Sequence, residues 1–210
     1  MKLNDNENID RLMEQINSKK PDLVEFRLDQ STNPQILSKI TEKKSFPAIA
    51  TDRSGRASTP KFLEEAAAAG FEFVDIDISS DHIEPRIKQL RSHDAQVILS
   101  SHDYSNTPSA DQLRKILEAE RKAGGDVCKI VTTALEARDN LTILDFVGTE
   151  AAQTRLVAFA MGSRGIPSRI LSPYFGAEFT FASLTEESKT AEGQLSIDNL
   201  RNAWQILGIQ

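Results

Sequence analysis

Residues 73–78 read FVDIDI, and this short stretch decides the fold. Apolar residues alternate in it with Asp75 and Asp77, which is the periodicity of a β-strand whose side chains point to opposite faces in turn. One face of such a strand is apolar and can pack on helices. The other face is charged, so it has to border a space where opposite charges or polar groups compensate it.

Strand-like runs recur along the whole chain, with segments of helical periodicity between them. Residues 23–29, LVEFRLD, show the same alternation of apolar and charged side chains. Alternating strands and helices at this pitch predict βαβ units and a parallel sheet. The runs begin at intervals of 23 to 31 residues, at Leu23, Ala48, Phe73, Gln96, Val127, Arg155 and Phe179.

Two parallel folds fit this alternation, a barrel and a doubly wound open sheet. Strands buried on both faces of an open sheet are almost continuously apolar, whereas a barrel can turn a charged face toward a lumen that opens into an active site. We therefore predict an α/β protein, a (β/α)8 TIM-type barrel, forming a single catalytic domain over residues 1–210. Because only Lys2 and Leu3 stand where a first strand is expected, that strand is predicted to be stunted or missing.

Composition restricts the class of protein. Of 210 residues, 39% are hydrophobic and 27% charged, which is typical of a globular domain. The net charge of -6, with no Lys/Arg-rich run, argues against nucleic acid or an anionic membrane as partner. A single cysteine, Cys128, fits a reducing compartment. With no secretory signal and no apolar stretch near the ~20 residues of a spanning helix, a cytoplasmic protein is predicted.

Lys129 is the sharpest chemical signal in the sequence. It lies within VCKIV, residues 127–131, flanked by apolar residues in a predicted central strand. Burial favours the neutral amine of a lysine, and a neutral amine is the nucleophile that forms a Schiff base with a ketone. The alternative is a structural lysine in a buried ion pair, for instance with Asp75 or Asp77.

Further candidates stand at or beyond the predicted strand ends. His102 closes the run ILSSH and can serve as a general acid and base, or it can be a hydrogen-bonded structural histidine. Arg169 closes MGSRGIPSR, residues 161–169, where a guanidinium can bind a carboxylate in bidentate fashion, although a phosphate is equally possible.

Three residues near the first strands offer polar contacts for a polyhydroxylated ligand. They are Glu25, Arg27 and Arg53, each of which, taken singly, is as well explained by a structural ion pair. The polar segment 185–193 follows the last predicted strand, so it would lie at the catalytic end of a barrel. It is interpreted as a mobile lid, with an ordinary solvated turn as the alternative.

The order of these segments resembles the type I 3-dehydroquinate dehydratase family, the Schiff-base dehydroquinases of the shikimate pathway to aromatic amino acids. The resemblance extends from Asp22 to Ile197. It rests on the segments EFRLD, TDRS, LSSHDY, GGDVCKI, MGSRGIPSR, FTFAS and EGQLS, which follow one another in the order of the family.

The resemblance implies a reaction and its residues. Lys129 would bind the C3 ketone of 3-dehydroquinate as an imine, and His102 would take the C2 proton and later protonate the leaving C1 hydroxyl. The imine would act as electron sink, so neither a metal nor an organic cofactor is expected. A homodimer is also implied. The remaining implied contacts are Glu25, Arg27 and Arg53 to the ring hydroxyls and Arg169 and Gln194 to the carboxylate, under a closing loop that carries Thr190.

The sequence departs from the family pattern at Thr190, at Ala57 and at the short first strand. Thr190 stands where the family usually has serine, which keeps the hydroxyl, and Ala57 stands where an acidic residue often orients the histidine. Two other functions are left open. A class I Schiff-base aldolase would share Lys129 but hold a phosphate, and Ala57 together with the short first strand is compatible with a catalytically dead binding barrel.

Overall fold

The computed structural model describes residues 1–209 and contains seven strands, all but the first of four to seven residues. Hydrogen-bonded neighbours follow the chain order, β1-β2-β3-β4-β5-β6-β7, in one sheet. The pairs β1 and β2, β2 and β3, β3 and β4, and β6 and β7 are parallel. The strands are β1 Lys2–Asn4, β2 Val24–Gln30, β3 Ala48–Thr51, β4 Phe73–Asp77, β5 Gln96–His102, β6 Val127–Thr133 and β7 Leu156–Met161.

Helices connect the strands, as the sequence predicts. The longest, α5, has 14 residues, and within residues 1–209 no helix is both long and apolar enough to cross a membrane. A 3-10 turn at Ser163–Gly165 leads into the short α7. The helices are α1 Ile9–Lys19, α2 Gln35–Lys43, α3 Thr59–Ala68, α4 Ile83–Arg91, α5 Ala110–Ala123, α6 Arg138–Glu150, α7 Ile166–Leu171 and α8 Ile197–Leu207.

The chain forms two compact units, Met1–Ile98 and a second that begins at Leu99. In the first unit, β2 shows the predicted alternation. Val24, Phe26 and Leu28 are buried, and the charged residues between them are half-buried. The ring of Phe26 packs against Phe46 and Phe71, so the apolar face of β2 is central to this core. The single catalytic domain over residues 1–210 stays a prediction.

The core of the second unit lies between its strands and helices. Leu117 of α5 and Phe146 of α6 pack there with Cys128 and Ile130 of β6. Because Cys128 and Ile130 point to the helix side, the side chain of Lys129 between them leaves the strand on the opposite face. The packing of β6 therefore fixes the direction of its lysine.

Two predictions about strands have definite outcomes. The first strand exists but has only three residues, so it is stunted rather than missing. The predicted strand beginning at Phe179 is wrong, because residues 179–182 are not in a strand and only an isolated bridge joins Ser183 to Ser196. Its polar groups are bound elsewhere: the Thr180 hydroxyl donates to the Arg169 carbonyl, and the Ser183 N–H donates to the Leu195 carbonyl.

Candidate active site

Lys129 occupies the middle of β6, and its predicted burial in a strand is confirmed. The residue is 5% exposed, and its neighbours along the strand belong to the hydrophobic core. Its Nζ lies 4.2 Å from the centre of the Phe181 ring. An aromatic face attracts a cation and excludes water, so Phe181 gives this amine a partly apolar surround.

A residue that the sequence reasoning missed contacts the main chain of Lys129. Glu120 of α5 is completely buried, and its Oε2 accepts the Lys129 N–H at 3.1 Å. The signal in the sequence was its spacing, because Leu113, Leu117 and Glu120 share one helix face. A glutamate at that third position is unusual, since charged side chains are rarely completely buried.

His102 is the last residue of β5, at the predicted end of the strand. Its half-buried ring lies nearly parallel to that of Tyr104, with centroids 5.9 Å apart and 14° between the planes. His102 also borders a cavity of about 460 Å³ that Ser101 and Thr132 help to line. Ile116 and Ile130 also line this cavity, and they belong to the helix-packed core on the side of β6 away from the Lys129 side chain.

Arg169 lies in α7 and is 2% exposed. Its guanidinium carbon is 4.2 Å from the Phe159 ring centre, and Nη1 donates to the Phe181 carbonyl at 3.4 Å. Nε and Nη2 are buried and have no hydrogen-bond partner, and no carboxylate of residues 1–209 forms an ion pair with them. Burial alone lowers the pKa of Arg169 to about 10.

Aromatic rings connect the surroundings of Lys129 and Arg169. Phe181 contacts the lysine through its ring and the arginine through its carbonyl, and its ring centre is 6.1 Å from that of Phe159. The segment that was wrongly predicted as a strand thus supplies a residue shared by both cations. Aromatic walls with a few buried polar groups are the usual lining of a small-molecule site.

The segment before α8 brings Thr190 and Gln194 together. Gln194 is buried, and its Oε1 accepts hydrogen bonds from the N–H and the hydroxyl of Thr190 at 2.8 and 3.2 Å. Gly193 has a φ of +74°, and a Cβ there would stand 2.2 Å from the Gly162 carbonyl oxygen. A glycine is therefore needed where this segment lies against the end of β7. That this segment is a mobile lid stays a prediction.

The predicted polar residues of the first unit form ion pairs within it. Arg53 follows β3, and its Nη2 lies 2.5 Å from Asp75, while Nη1 lies 3.4 Å from Asp77. Arg27 pairs with Asp29 at 2.7 Å. Asp75 and Asp77, which the sequence offered as possible partners of Lys129, form these ion pairs with Arg53.

Glu25 and Ala57 complete the predicted residues of the first unit. Glu25 Oε1 accepts a hydrogen bond from the Thr51 hydroxyl at 2.9 Å, which joins β2 to β3. Ala57 lines a cavity of about 520 Å³ together with Arg53 and Asp77. The methyl group of Ala57 cannot accept a hydrogen bond, so the orienting role of the family's acidic residue is absent at this position.

Parallel strands, alternating helices and a strand lysine beside an aromatic ring define a parallel α/β protein with a candidate amine nucleophile. A family model described as Type I 3-dehydroquinase matches residues 1–210. The chain belongs to the type I 3-dehydroquinase family.

Individual relatives agree with this assignment. A 3-dehydroquinate dehydratase of Dehalococcoides mccartyi is 38% identical over 135 residues, and the match covers 64% of this chain and 60% of that protein. The chain thus matches about three-fifths of the length of that relative. A 3-dehydroquinate dehydratase of Thermodesulfovibrio yellowstonii is 32% identical over 200 residues, covering 90% of this chain and 87% of the relative.

A solved structure shows the same fold. The crystal structure of 3-dehydroquinate dehydratase from Geobacillus kaustophilus superimposes with a TM-score of 0.85 at 22% identity, covering 94% of this chain and 85% of that one. At this level of identity the likeness establishes the fold alone. The predicted TIM-type α/β fold class is confirmed.

Proposed function

We propose that this chain is a hydro-lyase that converts 3-dehydroquinate to 3-dehydroshikimate and water through a Schiff base at Lys129. Membership of the type I 3-dehydroquinase family supports the reaction. The position of Lys129, buried in β6 with its amine over the Phe181 ring, supports the residue, because an amine is the side-chain group that forms a Schiff base with a ketone.

The observation that carries the proposal is the buried guanidinium of Arg169. Two of its nitrogen atoms have no hydrogen-bond partner, and leaving charged donors unsatisfied in a protein interior is costly. A planar fork of N–H groups matches a carboxylate, which would accept two parallel hydrogen bonds. A substrate that is both a ketone and a carboxylate supplies one group for Lys129 and one for Arg169.

The proposed steps use only two side chains for bond making and breaking. The Lys129 amine adds to the C3 carbonyl, and the resulting carbinolamine takes up a proton and loses water to give an iminium ion. His102 removes the C2 proton, and the electron pair moves into the iminium as an enamine. The enamine expels the C1 hydroxyl, which leaves as water with the proton from His102. Hydrolysis of the remaining imine releases the product and restores the amine, so the net change is the loss of one water molecule.

The other predicted residues are proposed to bind the substrate. Arg169 and Gln194 would hold the carboxylate, with Thr190 fixing the amide of Gln194 through its two hydrogen bonds. Glu25, Arg27 and Arg53 would contact the ring hydroxyls.

Borohydride trapping tests the proposal directly. The protein is mixed with 3-dehydroquinate and sodium borohydride, and the modified residue is mapped by mass spectrometry. The proposal expects turnover without borohydride and a reduced adduct on Lys129 with it. An adduct formed only with phosphorylated ketones would support the aldolase alternative, and the absence of any adduct or turnover would refute an active Schiff-base enzyme.

We also propose a homodimer that works in the cytoplasm. The family resemblance supports the homodimer, as do large apolar side chains on the surface of the second unit, and the single cysteine, Cys128, fits a reducing compartment such as the cytoplasm. Light scattering at several protein concentrations measures the mass of the particle, and a monomer at every concentration would refute the dimer. The large exposed apolar residues of the described chain are Tyr104, Leu135, Leu141, Tyr174, Phe175, Ile206 and Leu207.

A further inference from the structure

The buried face of α5 carries a residue that packing alone does not explain. Leu113 and Leu117 are buried on this face, and Glu120, almost one turn further on, is 0% exposed. An apolar side chain would continue the face at lower cost, because a carboxyl group is expensive to remove from water unless it is hydrogen-bonded. The position of Glu120 therefore requires a specific reason.

Glu120 interacts with two neighbouring residues of β6, Cys128 and the candidate nucleophile Lys129. Its Oε2 accepts the main-chain N–H of Lys129 at 3.1 Å. The pKa of the Cys128 thiol is raised to about 12, first by burial and then by the negative charge of Glu120, with which the thiol also forms a hydrogen bond. The carboxyl group thus lies directly behind the strand segment that presents the lysine.

This contact reaches Lys129 through its main chain and not through its amine. Cys128 and Ile130 point into the helix-packed core, and Glu120 approaches β6 from that side. The lysine side chain leaves on the other face, where Nζ lies over the Phe181 ring. A shift of the Lys129 main chain would be transmitted along four methylene groups to the nitrogen atom.

We propose that Glu120 is a positioning residue for the Schiff-base lysine. Its carboxylate fixes the main chain of Lys129 so that the amine stays over Phe181, in the place where the substrate imine forms. This inference rests on the proposed function. Reacting atoms must be held within a fraction of an ångström, so a positioning contact acts on the chemical step and leaves ground-state binding of the substrate nearly unchanged.

Matched variants separate positioning from packing. Glu120→Gln keeps an oxygen acceptor at the same distance, whereas Glu120→Met keeps the unbranched length and removes the acceptor. Glu118→Gln, at an exposed position of the same helix, is the control. The measurements are kcat and KM for 3-dehydroquinate, the rate at which the borohydride-trapped adduct appears in a single turnover, the Tm, and amide exchange over residues 127–133.

The expected results differ among the variants. Glu120→Met lowers kcat and the rate of adduct formation by about tenfold to a hundredfold, keeps KM within about twofold, and speeds exchange of the Lys129 amide. Glu120→Gln stays within about threefold of the unchanged protein in kcat, because its amide oxygen accepts the same hydrogen bond. Glu118→Gln behaves like the unchanged protein.

Several outcomes would overturn the inference. If Glu120→Met lowers the Tm but matches Glu120→Gln in kcat per folded molecule, Glu120 serves stability only. If Glu120→Met does not fold, Glu120→Asp tests the same contact, because the shorter side chain withdraws its oxygens from the Lys129 N–H. An unchanged kcat in folded Glu120→Asp then refutes positioning. If the protein without any substitution shows neither turnover nor adduct, the proposed function itself is refuted.

Discussion

Arg53 and Arg169 are both predicted substrate ligands, yet the two units surround them differently. Arg53 forms ion pairs with Asp75 and Asp77, and the side chain of Asp75 is completely buried. Arg169 is itself buried, stacks on Phe159 and has two nitrogen atoms without hydrogen-bond partners. The first guanidinium is neutralised by the protein, and the second is not.

The difference separates two uses of a cation near the end of a strand. A paired arginine stabilises the carboxylates around it, and a ligand has to share donors that are already engaged. A buried arginine without a carboxylate lowers stability, and it keeps its donors for an anionic ligand. The contrast therefore supports the proposal that Arg169, in the same unit as Lys129 and His102, binds the substrate carboxylate.

Replacing Lys129 would test most strongly whether the chemistry belongs to the second unit. Lys129→Met keeps an unbranched apolar stem but removes the amine, so no iminium ion can form and turnover should be lost. The measurements are steady-state turnover of 3-dehydroquinate and the mass of the protein after borohydride treatment. Circular dichroism should show an unchanged fold. Near-normal dehydration by this variant would contradict the covalent mechanism.

His102→Ala should give the next largest effect. It removes the proposed acid and base but leaves the amine, so the imine should form and the elimination should fail. We expect kcat to fall by about 10²- to 10⁴-fold, the usual range for general acid–base catalysis. Borohydride should still trap an adduct on Lys129. A loss of less than about tenfold would assign the proton transfers to another group.

Substituting each arginine by lysine probes the comparison itself. Arg169→Lys keeps the charge but cannot reproduce the planar fork of N–H groups. KM should therefore rise by about tenfold to a hundredfold, which corresponds to the binding free energy of hydrogen bonds to a charged group. Arg53→Lys should raise KM less, because the lysine can keep an ion pair with Asp75. The measurement is KM for each variant, together with binding of an analogue that lacks the carboxylate. Equal affinity for that analogue would remove Arg169 from the carboxylate role.

The stabilities of the corresponding methionine variants provide the control. Arg53→Met removes the ion pair between Arg53 and the buried Asp75 and should lower the free energy of unfolding by about 3 kcal/mol. Arg169→Met removes a buried charge that has no carboxylate partner, so it should leave stability unchanged or increase it. Urea unfolding measures both. A large loss of stability in Arg169→Met would mean that the guanidinium is structural.

Much of the fold could be predicted from the sequence because alternation reports directly on burial. In β2 the apolar residues are buried and the charged ones half-buried, as the pattern LVEFRLD indicates. The same rule failed at residues 179–183, where Phe179 and Phe181 alternate with small polar residues. There the two phenylalanine rings pack against each other, 5.5 Å apart, and Phe181 also contacts Lys129, without forming a strand.

The surroundings of the candidate residues could be predicted only in part. Burial of Lys129 follows from its apolar neighbours in VCKIV, all within a few residues. Whether a carboxylate lies beside Arg169 depends on where the fold brings all of the acidic residues. The sequence around Arg169 therefore cannot predict that none of the described residues forms an ion pair with it. Glu120 was missed for a related reason: the helix ADQLRKILEAERKA has two glutamates, and only its packing against β6 distinguishes the buried one from the exposed Glu118.

The smallest expected effect concerns Gln194, whose oxygen is bound to Thr190 inside the protein. If its amide N–H groups contact the substrate carboxylate beside Arg169, Gln194→Ala should raise KM by about fivefold to tenfold, the value of one or two hydrogen bonds. The Lys129 adduct should still form. Glu187→Gln, at an exposed position of the same segment, is the matched control and should change neither.

A lid would make this effect depend on the motion of residues 185–194. Closure over the substrate would exclude water from the imine and slow its premature hydrolysis. Hydrogen exchange of this segment should therefore become slower when substrate or product is bound, and less so in Gln194→Ala because one contact that holds the segment is missing. The Gly193–Gly162 contact offers an independent check: Gly193→Ala would force its Cβ against the Gly162 carbonyl oxygen and should keep the segment from seating there. Equal exchange with and without ligand would mean that no lid closes, and Gln194 would then be a buried residue of an ordinary turn.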